Sequence, residues 1–334
     1  MKNSIKYLLL LILCGCDETF PYETGRFPDD KPINLVDLNS EYDDMNSNFV
    51  PSTADLTLTV IYSTNSISKG QQFDLDYSRV FFQWDKEKGN LDFYSDRVFD
   101  GSQVIRNLLF RINTNRNEKA PYTFVDENKG ALLFSRDNSE GFFSICFDPE
   151  NNSIPGVDEG DASFRLLGED SNEMYPSFYG ANFLKGANDN SQGKPEKMLF
   201  SSDRDGKFDI YELGLPTEGS IIAYLQGSRE KGTQKIGINS TSNDHMPFVY
   251  GDLLVFSSDR PGGFGGYDLY YSQKTANGWA EPVNFGPKIN SEFDEFRPVV
   301  SDSWEFSNQL MIFSSNRPGG LGGFDLYFVG IPKF

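Results

Sequence analysis

One five-residue string, met three times over, limits the fold of this chain more than any other feature. Phe200-Ser201-Ser202-Asp203-Arg204 recurs as Phe256-Ser257-Ser258-Asp259-Arg260 and as Phe313-Ser314-Ser315-Asn316-Arg317. Weaker copies stand at Phe134-Ser135-Arg136-Asp137 and Phe82-Gln83-Trp84-Asp85-Lys86, so that the phenylalanines are 52, 66, 56 and 57 residues apart. A second element follows, as Asp209-Ile210-Tyr211, Asp268-Leu269-Tyr270 and Asp325-Leu326-Tyr327, with Asp92-Phe93-Tyr94 read as the first-copy equivalent and a degenerate Ser144-Ile145-Cys146 in the second. A third element precedes: Ile238-Asn239, Asn243-Asp244 and Pro247 match Ile289-Asn290, Asp294-Glu295 and Pro298, and also Ile112-Asn113, Asn117-Glu118 and Pro121. Asn172-Glu173 and Pro176 keep the latter half. Linked elements recurring in one order mark a repeat architecture whose units bury their apolar faces only by stacking.

Each unit reads as a proline followed by a strand, an apolar strand ending Phe-Ser-Ser, a glycine-rich turn, a strand carrying Asp-apolar-Tyr, and an outer strand. That is a four-stranded blade, and the chain is expected to be an all-β propeller. Residues 55–334 are 280 residues, or 56 for each of five blades; six stay open if 147–199 or 55–78 holds a degenerate unit. The sequence stops seven residues after Tyr327, which leaves the last blade short of an outer strand. The run Leu56-Thr57-Leu58-Thr59-Val60-Ile61-Tyr62 alternates with period two and is expected to supply it, beside 324–329.

In the blade turns, Asp203, Asp259 and Asn316 are suited to closing on nearby amides, and Arg204, Arg260 and Arg317 to reaching a carboxylate of the same or the next blade. One or two carboxylates per loop are too few for Ca²⁺, which takes 6–8 oxygens, so no metal and no cofactor is expected. These strings resemble the WD40-like (PD40) repeat of TolB-type propellers of the bacterial envelope, strongly over 238–328, moderately over 112–215 and weakly over 55–100. TolB-type proteins carry an extra N-terminal domain where this chain is expected to have an acidic tether, so a role in the same complex is not implied.

The N-terminal end reads as a secretion signal. Lys2 and Lys6 flank the apolar run Leu8 to Leu13, too short for the roughly 20 residues of a membrane span. Leu13-Cys14-Gly15-Cys16 looks like a lipobox, with residues 1–15 removed and Cys16 acylated, palmitate included; two or more chains anchor a protein firmly. That implies a lipoprotein held at the outer membrane, facing the periplasm or the surface. Residues 16–54, acidic and punctuated by Pro21, Pro28, Pro32 and Pro51, read as a disordered tether, and 55–334 as the propeller. Cys146, in an apolar stretch, reads as a core thiol. A formal charge of −19 argues against nucleic acid as a partner.

Glu118, Glu173, Asp244 and Glu295 hold one position just before the inner strand of four blades, so symmetry gathers them around one channel mouth. Paired carboxylates are what glycoside hydrolysis uses, but in unlike environments, whereas these recur with the repeat. His245 is the only histidine, and no Ser-His-Asp arrangement accompanies it. The expectation is therefore a non-enzymatic scaffold that holds an envelope protein, with no catalytic residue. The alternative is a carbohydrate-active enzyme or glycan-binding propeller using those acids, for which Trp279 and Trp304 are the aromatic candidates.

Overall fold

In a computed structural model the chain is a five-bladed β-propeller; the structure describes residues 24–50, 57–96, 103–126, 129–149, 163–164, 170–181, 183, 194–227 and 232–334. Blade I holds β2 (Asp44–Val50), β3 (Thr57–Thr64), β4 (Asp74–Asp85) and β5 (Asn90–Asp96). Helix α1 (Gln103–Ile112) leads to blade II, with β6 (Glu118–Asp126), β7 (Lys129–Asp137), β8 (Phe143–Pro149) and β9 (Ser163–Phe164). Blade III is β10 (Glu173–Tyr179), β11 (Lys197–Ser202), β12 (Asp209–Gly214) and, after α2 (Ile221–Gln226), β13 (Thr233–Lys235). Blade IV is β14 (Asp244–Tyr250), β15 (Leu253–Ser258), β16 (Asp268–Thr275), β17 (Gly278–Trp279) and β18 (Val283–Asn284). Blade V holds β19 (Glu295–Ser301), β20 (Gln309–Ser315) and β21 (Asp325–Ile331).

The ring closes at the N-terminal side, but not through the expected run. β1 (Ile33–Asn34) pairs with β21, Ile33 opposite Phe328, and so supplies the outer strand of blade V. The 56–62 run instead enters β3, between β2 and β4. Phe27 adds a second fastening, stacked on Phe306 at 4.0 Å and bonded through its backbone to both ends of the Asn308 amide at 2.9 Å. Residues 24–50 are thus part of the propeller rather than a tether. Two of their carboxylates bind backbone amides: Asp44 accepts from Ser40 N at 2.6 Å and Asp43 from Phe324 N at 2.8 Å.

Blade I also shifts the frame of the first repeat. Thr64 pairs with Asp74 as Ser258 pairs with Asp268, so Tyr62-Ser63-Thr64 is its Phe-Ser-Ser and Asp74-Leu75-Asp76 its Asp-apolar-Tyr. Phe82 and Asp92-Phe93-Tyr94 fall later, in β4 and β5.

The repeated prolines do not precede the inner strands; they sit inside them. Each inner strand shifts register at one point: between Met45 and Asn48, Lys119 and Tyr122, Met174 and Ser177, His245 and Phe248, Phe296 and Val299. The residue there is left-handed in all five blades: Asn46 (φ 55°), Ala120 (53°), Tyr175 (58°), Met246 (59°) and Arg297 (46°). A bulge needs no ladder N–H at its next position, which is why Pro121, Pro176, Pro247 and Pro298 are tolerated there.

Blades lock to one another through the repeated asparagines. Asn290 Oδ1 accepts from Leu269 N at 2.8 Å while its Nδ2 donates to Leu269 O at 3.0 Å, so one amide mimics a strand against the preceding blade. Asn39, Asn113 and Asn239 do the same to Leu326, Leu75 and Ile210. The glycine loop between the second and third strands is pressed against the next blade: a Cβ on Gly322 would overlap Tyr42 O. Beneath these contacts Phe200, Phe256, Phe313, Leu269 and Leu326 are fully buried between blades.

Candidate functional site

The four expected channel-mouth positions come together at one end of the propeller, yet the acids do not open onto it. Glu118, Glu173, Asp244 and Glu295 are each fully buried, at 0% exposure. Glu118 accepts from Arg136 Nε at 2.7 Å and Thr114 Oγ1 at 2.6 Å. Glu295 accepts from Arg317 Nη2 at 2.9 Å, Ser315 Oγ at 3.2 Å, and Ser291 N at 3.1 Å. Asp244 is paired with Arg260 and accepts from Ser258 Oγ at 2.7 Å. Burial pushes the carboxyls of Glu118 and Glu295 up, against the hydrogen bonds of Thr114, Ser291 and the arginines.

The arginines of the turn string do more than pair. Arg260 lies over Phe256 at 5.2 Å and Tyr270 at 5.0 Å, and Arg317 over Phe313 and Tyr327 at 5.2 and 5.1 Å. The Phe, the Arg and the Tyr of the repeat are therefore one stack, tied to the inner-strand acid of the same blade. Blade III departs from this. Arg204 is exposed, and Lys207 and Lys235 pair with Asp209 instead.

Asp203, Asp259 and Asn316 hold the loop ahead of the inner strand. Asp203 accepts from Asn172 N and Nδ2 at 2.7 and 2.6 Å, and Asp259 from Asn243 in the same way. Asn316 Oδ1 accepts from Asp294 N at 2.8 Å. The loop residue passes the connection on: Asn243 Oδ1 accepts from Phe208 N at 2.9 Å and Asp294 Oδ1 from Tyr267 N at 2.9 Å. Asp43, Asn117 and Asn172 repeat this on Phe324, Phe73 and Phe143.

This chain of bonds fixes an aromatic ring that sequence reasoning missed. Phe73, Phe143, Phe208, Tyr267 and Phe324, one per blade and all half-buried, encircle the mouth. Between them stand the second residues of the inner strands. Lys119 Nζ lies 3.8 Å from the centre of the Phe73 ring and 5.9 Å from that of Phe143. His245 stacks on Phe208 at 3.8 Å, and Phe296 meets Tyr267 at 5.2 Å and Phe324 at 4.9 Å. The sequence signal was available: an aromatic precedes the third strand in every blade, as Phe-Asp, Phe-Ser, Phe-Asp, Tyr-Asp and Phe-Asp. Burial holds the Lys119 ammonium below the usual lysine range. At the loop tips of blades I, IV and V, Ile67, Phe264 and Leu321 extend the apolar face outward, each exposed.

The tryptophans stand elsewhere. Trp304 is exposed in the hairpin between β19 and β20, at the opposite end of the blade, and Trp279 packs on Tyr179 at 5.5 Å in the outer layer of blade IV. Cys146 is buried, its Sγ donating to Ser144 O at 3.6 Å, and among the described residues no cluster of His, Cys, Asp and Glu is set to hold a metal ion. No helix among the described residues is long and apolar enough to cross a membrane, and Cys16 lies outside them.

No protein-family model matches the chain, and no curated protein does. Solved structures do. A thermostable family-43 glycoside hydrolase is similar at 12% identity and TM-score 0.52, over 87% of this chain and 90% of that one. An α-L-arabinofuranosidase from Lactobacillus brevis is similar at 11% identity and TM-score 0.50, over 90% and 93%. At such identities the likeness establishes the fold. It also corrects two expectations. The chain falls beside propellers named as glycoside hydrolases rather than with the TolB-like repeat proteins. The expectation of a non-catalytic scaffold for a protein partner is overturned by this likeness, which runs to propellers named as a glycoside hydrolase and an α-L-arabinofuranosidase.

Proposed function

We propose that this chain is a carbohydrate-active propeller of the glycoside hydrolase kind, which receives a glycan across the aromatic mouth of its channel. The observation that carries this is the ring of Phe73, Phe143, Phe208, Tyr267 and Phe324 with the Lys119 ammonium set among them. Aromatic faces take the C–H faces of sugar rings as they take other apolar surface, and a site of this type pairs such faces with a few fixed polar groups. Lys119 is that group here, and it favours a glycan bearing a carboxylate or sulfate. The shared fold with a family-43 glycoside hydrolase and an α-L-arabinofuranosidase supports cleavage of a glycosidic bond as the reaction class.

Such cleavage uses one carboxyl kept protonated and one kept ionised. The raised carboxyls of Glu118 and Glu295 lean toward the first role, but both are closed over by Ser, Thr and Arg partners. Held by those partners, they brace the loops at the mouth. The test is release of reducing ends from a panel of neutral and acidic polysaccharides by the purified protein. Release that survives in wild type and fails in Lys119→Ala supports the reading; a protein that neither binds nor cleaves any member of the panel refutes it.

For its cellular place, the sequence supports acylation at Cys16 and attachment to the outer membrane, with the propeller presenting its mouth to polysaccharide outside the bilayer.

A further inference from the structure

The five left-handed residues of the inner strands meet across the channel, below the aromatic ring. Tyr175 of blade III donates its hydroxyl toward Asn46 Oδ1 of blade I at 3.5 Å. Arg297 of blade V reaches Pro247 O of blade IV at 2.5 Å and Pro176 O of blade III at 3.5 Å. Its guanidinium also faces Tyr175 at 5.4 Å and Phe248 at 5.8 Å, and the Tyr175 ring lies 4.8 Å from that of His245. Arg297 is fully buried, and among the described residues no carboxylate pairs with it.

Three polar atoms in this small group have no hydrogen-bond partner among the described residues: Arg297 Nε, Asn46 Nδ2 and His245 Nε2. The first two are donors only, and a neutral imidazole nitrogen can donate. A guanidinium out of water needs both an opposite charge and acceptors for its N–H groups. His245 cannot share the positive charge, because burial and the neighbouring Arg297 push it down to about 3. One positive charge therefore remains, held by the Pro247 and Pro176 carbonyls and bordered by the Tyr175 and Phe248 rings and the three unpartnered nitrogens.

We propose that the propeller channel holds a buried monovalent anion of the halide class, chloride in solution, bound by Arg297 Nε and Asn46 Nδ2 with His245 Nε2 on the mouth side. A metal ion, a sugar acid and sulfate fit this site poorly. A metal ion finds donors where it needs lone pairs, and the closed site, with Arg297, Asn46 and His245 all buried, is too enclosed for a sugar acid. A single charge and a weakly polar lining suit a weakly hydrated monatomic ion rather than sulfate.

The test uses the purified chain dialysed into sodium gluconate at fixed ionic strength and pH 7, with sodium chloride or bromide replacing gluconate stepwise. A ligand bound only by the folded state raises the melting midpoint with its concentration. The expected result is a saturable rise of about 5 °C at hundredfold saturation with either halide. Crystals grown in bromide are expected to show an anomalous peak beside Arg297 Nε. Asn46→Asp keeps a residue that tolerates the left-handed conformation and places a carboxylate next to the guanidinium. That variant is expected to lose the halide response, which also cancels general salt effects. Superimposed halide and gluconate curves for wild type overturn the proposal, and so does an equal halide response in Asn46→Asp.

Discussion

Asn243 donates both its backbone N–H and its side-chain amide to the two oxygens of Asp259, each at 2.7 Å, and two blades write the same pair in reverse. In blade V it is Asp294 with Asn316, and in blade I Asp43 with Asn65. One carboxylate and one amide are always present, which gives the pair its charge-assisted bond without setting two carboxylates together. Asn243→Asp is expected to cost about 2 kcal/mol by facing two carboxylates. Restoring the opposite order with Asp259→Asn in the same chain is expected to recover most of that loss, as measured by denaturant unfolding of a double-mutant cycle. Equal losses that simply add would show that the pair is not coupled.

Arg136 and Glu118 are a buried pair whose carboxyl is already raised by burial. A raised folded-state value means that the associated stability is full below the ordinary glutamate value and declines as pH climbs through the folded one. Arg136→Met removes the cation paired with that carboxylate and is expected to cost about 3 kcal/mol at pH 7. The deficit is expected to shrink as pH falls toward and below the ordinary glutamate value, as Glu118 takes up a proton in both states. A deficit unchanged between pH 7 and pH 4.5 would contradict the pairing.

His245 titrates in the opposite sense. Held down to about 3 in the folded chain, it stays neutral while the unfolded chain takes up a proton below 6.5. Stability is therefore full above about 6.5 and falls with acidification at about 1.4 kcal/mol per pH unit from this group alone. Because the sequence has one histidine, a single set of imidazole resonances reports it. They are expected to stay at their neutral positions from pH 8 to pH 5; an ordinary titration near 6.5 would show that the ring is open to water.

The proposed anchor predicts that Cys16→Ala moves the protein from the membrane fraction to the soluble one and ends uptake of labelled fatty acid. Membrane association unchanged in that variant would remove the anchor.

The architecture was legible because three linked strings recur, and their physical roles explain the recurrence: Phe, Arg and Tyr stack, Asn clamps the preceding blade, and the acid ties the loop. Blade I was misread because its acids look like a solvated run. Leu38-Asn39-Ser40-Glu41-Tyr42-Asp43-Asp44 repeats Ile289-Asn290-Ser291-Glu292-Phe293-Asp294-Glu295 almost residue for residue, and the carboxylates of Asp43 and Asp44 bind backbone amides. The left-handed bulge was not legible, since neither Tyr175 nor Arg297 announces a positive φ in sequence. The aromatic ring shows in sequence only as one Phe or Tyr at the head of each third strand, whereas the acids are regular in spacing but their side chains turn away from the channel. The two tryptophans misled for the reverse reason: composition marks them, and topology carries them off the mouth.

The account stands or falls on whether a glycan sits on the aromatic mouth. The most direct measurement is calorimetric titration of the tightest glycan from the panel into wild type, Tyr267→Ala, Lys119→Ala and Trp304→Ala. The account predicts that the two mouth substitutions weaken binding at least about tenfold, since each removes a stacking face or a charge worth about 1.4 kcal/mol or more. Trp304→Ala, at the far end of blade V, is expected to bind as wild type does. Binding untouched by Tyr267→Ala and Lys119→Ala, but lost with Trp304→Ala, would contradict it.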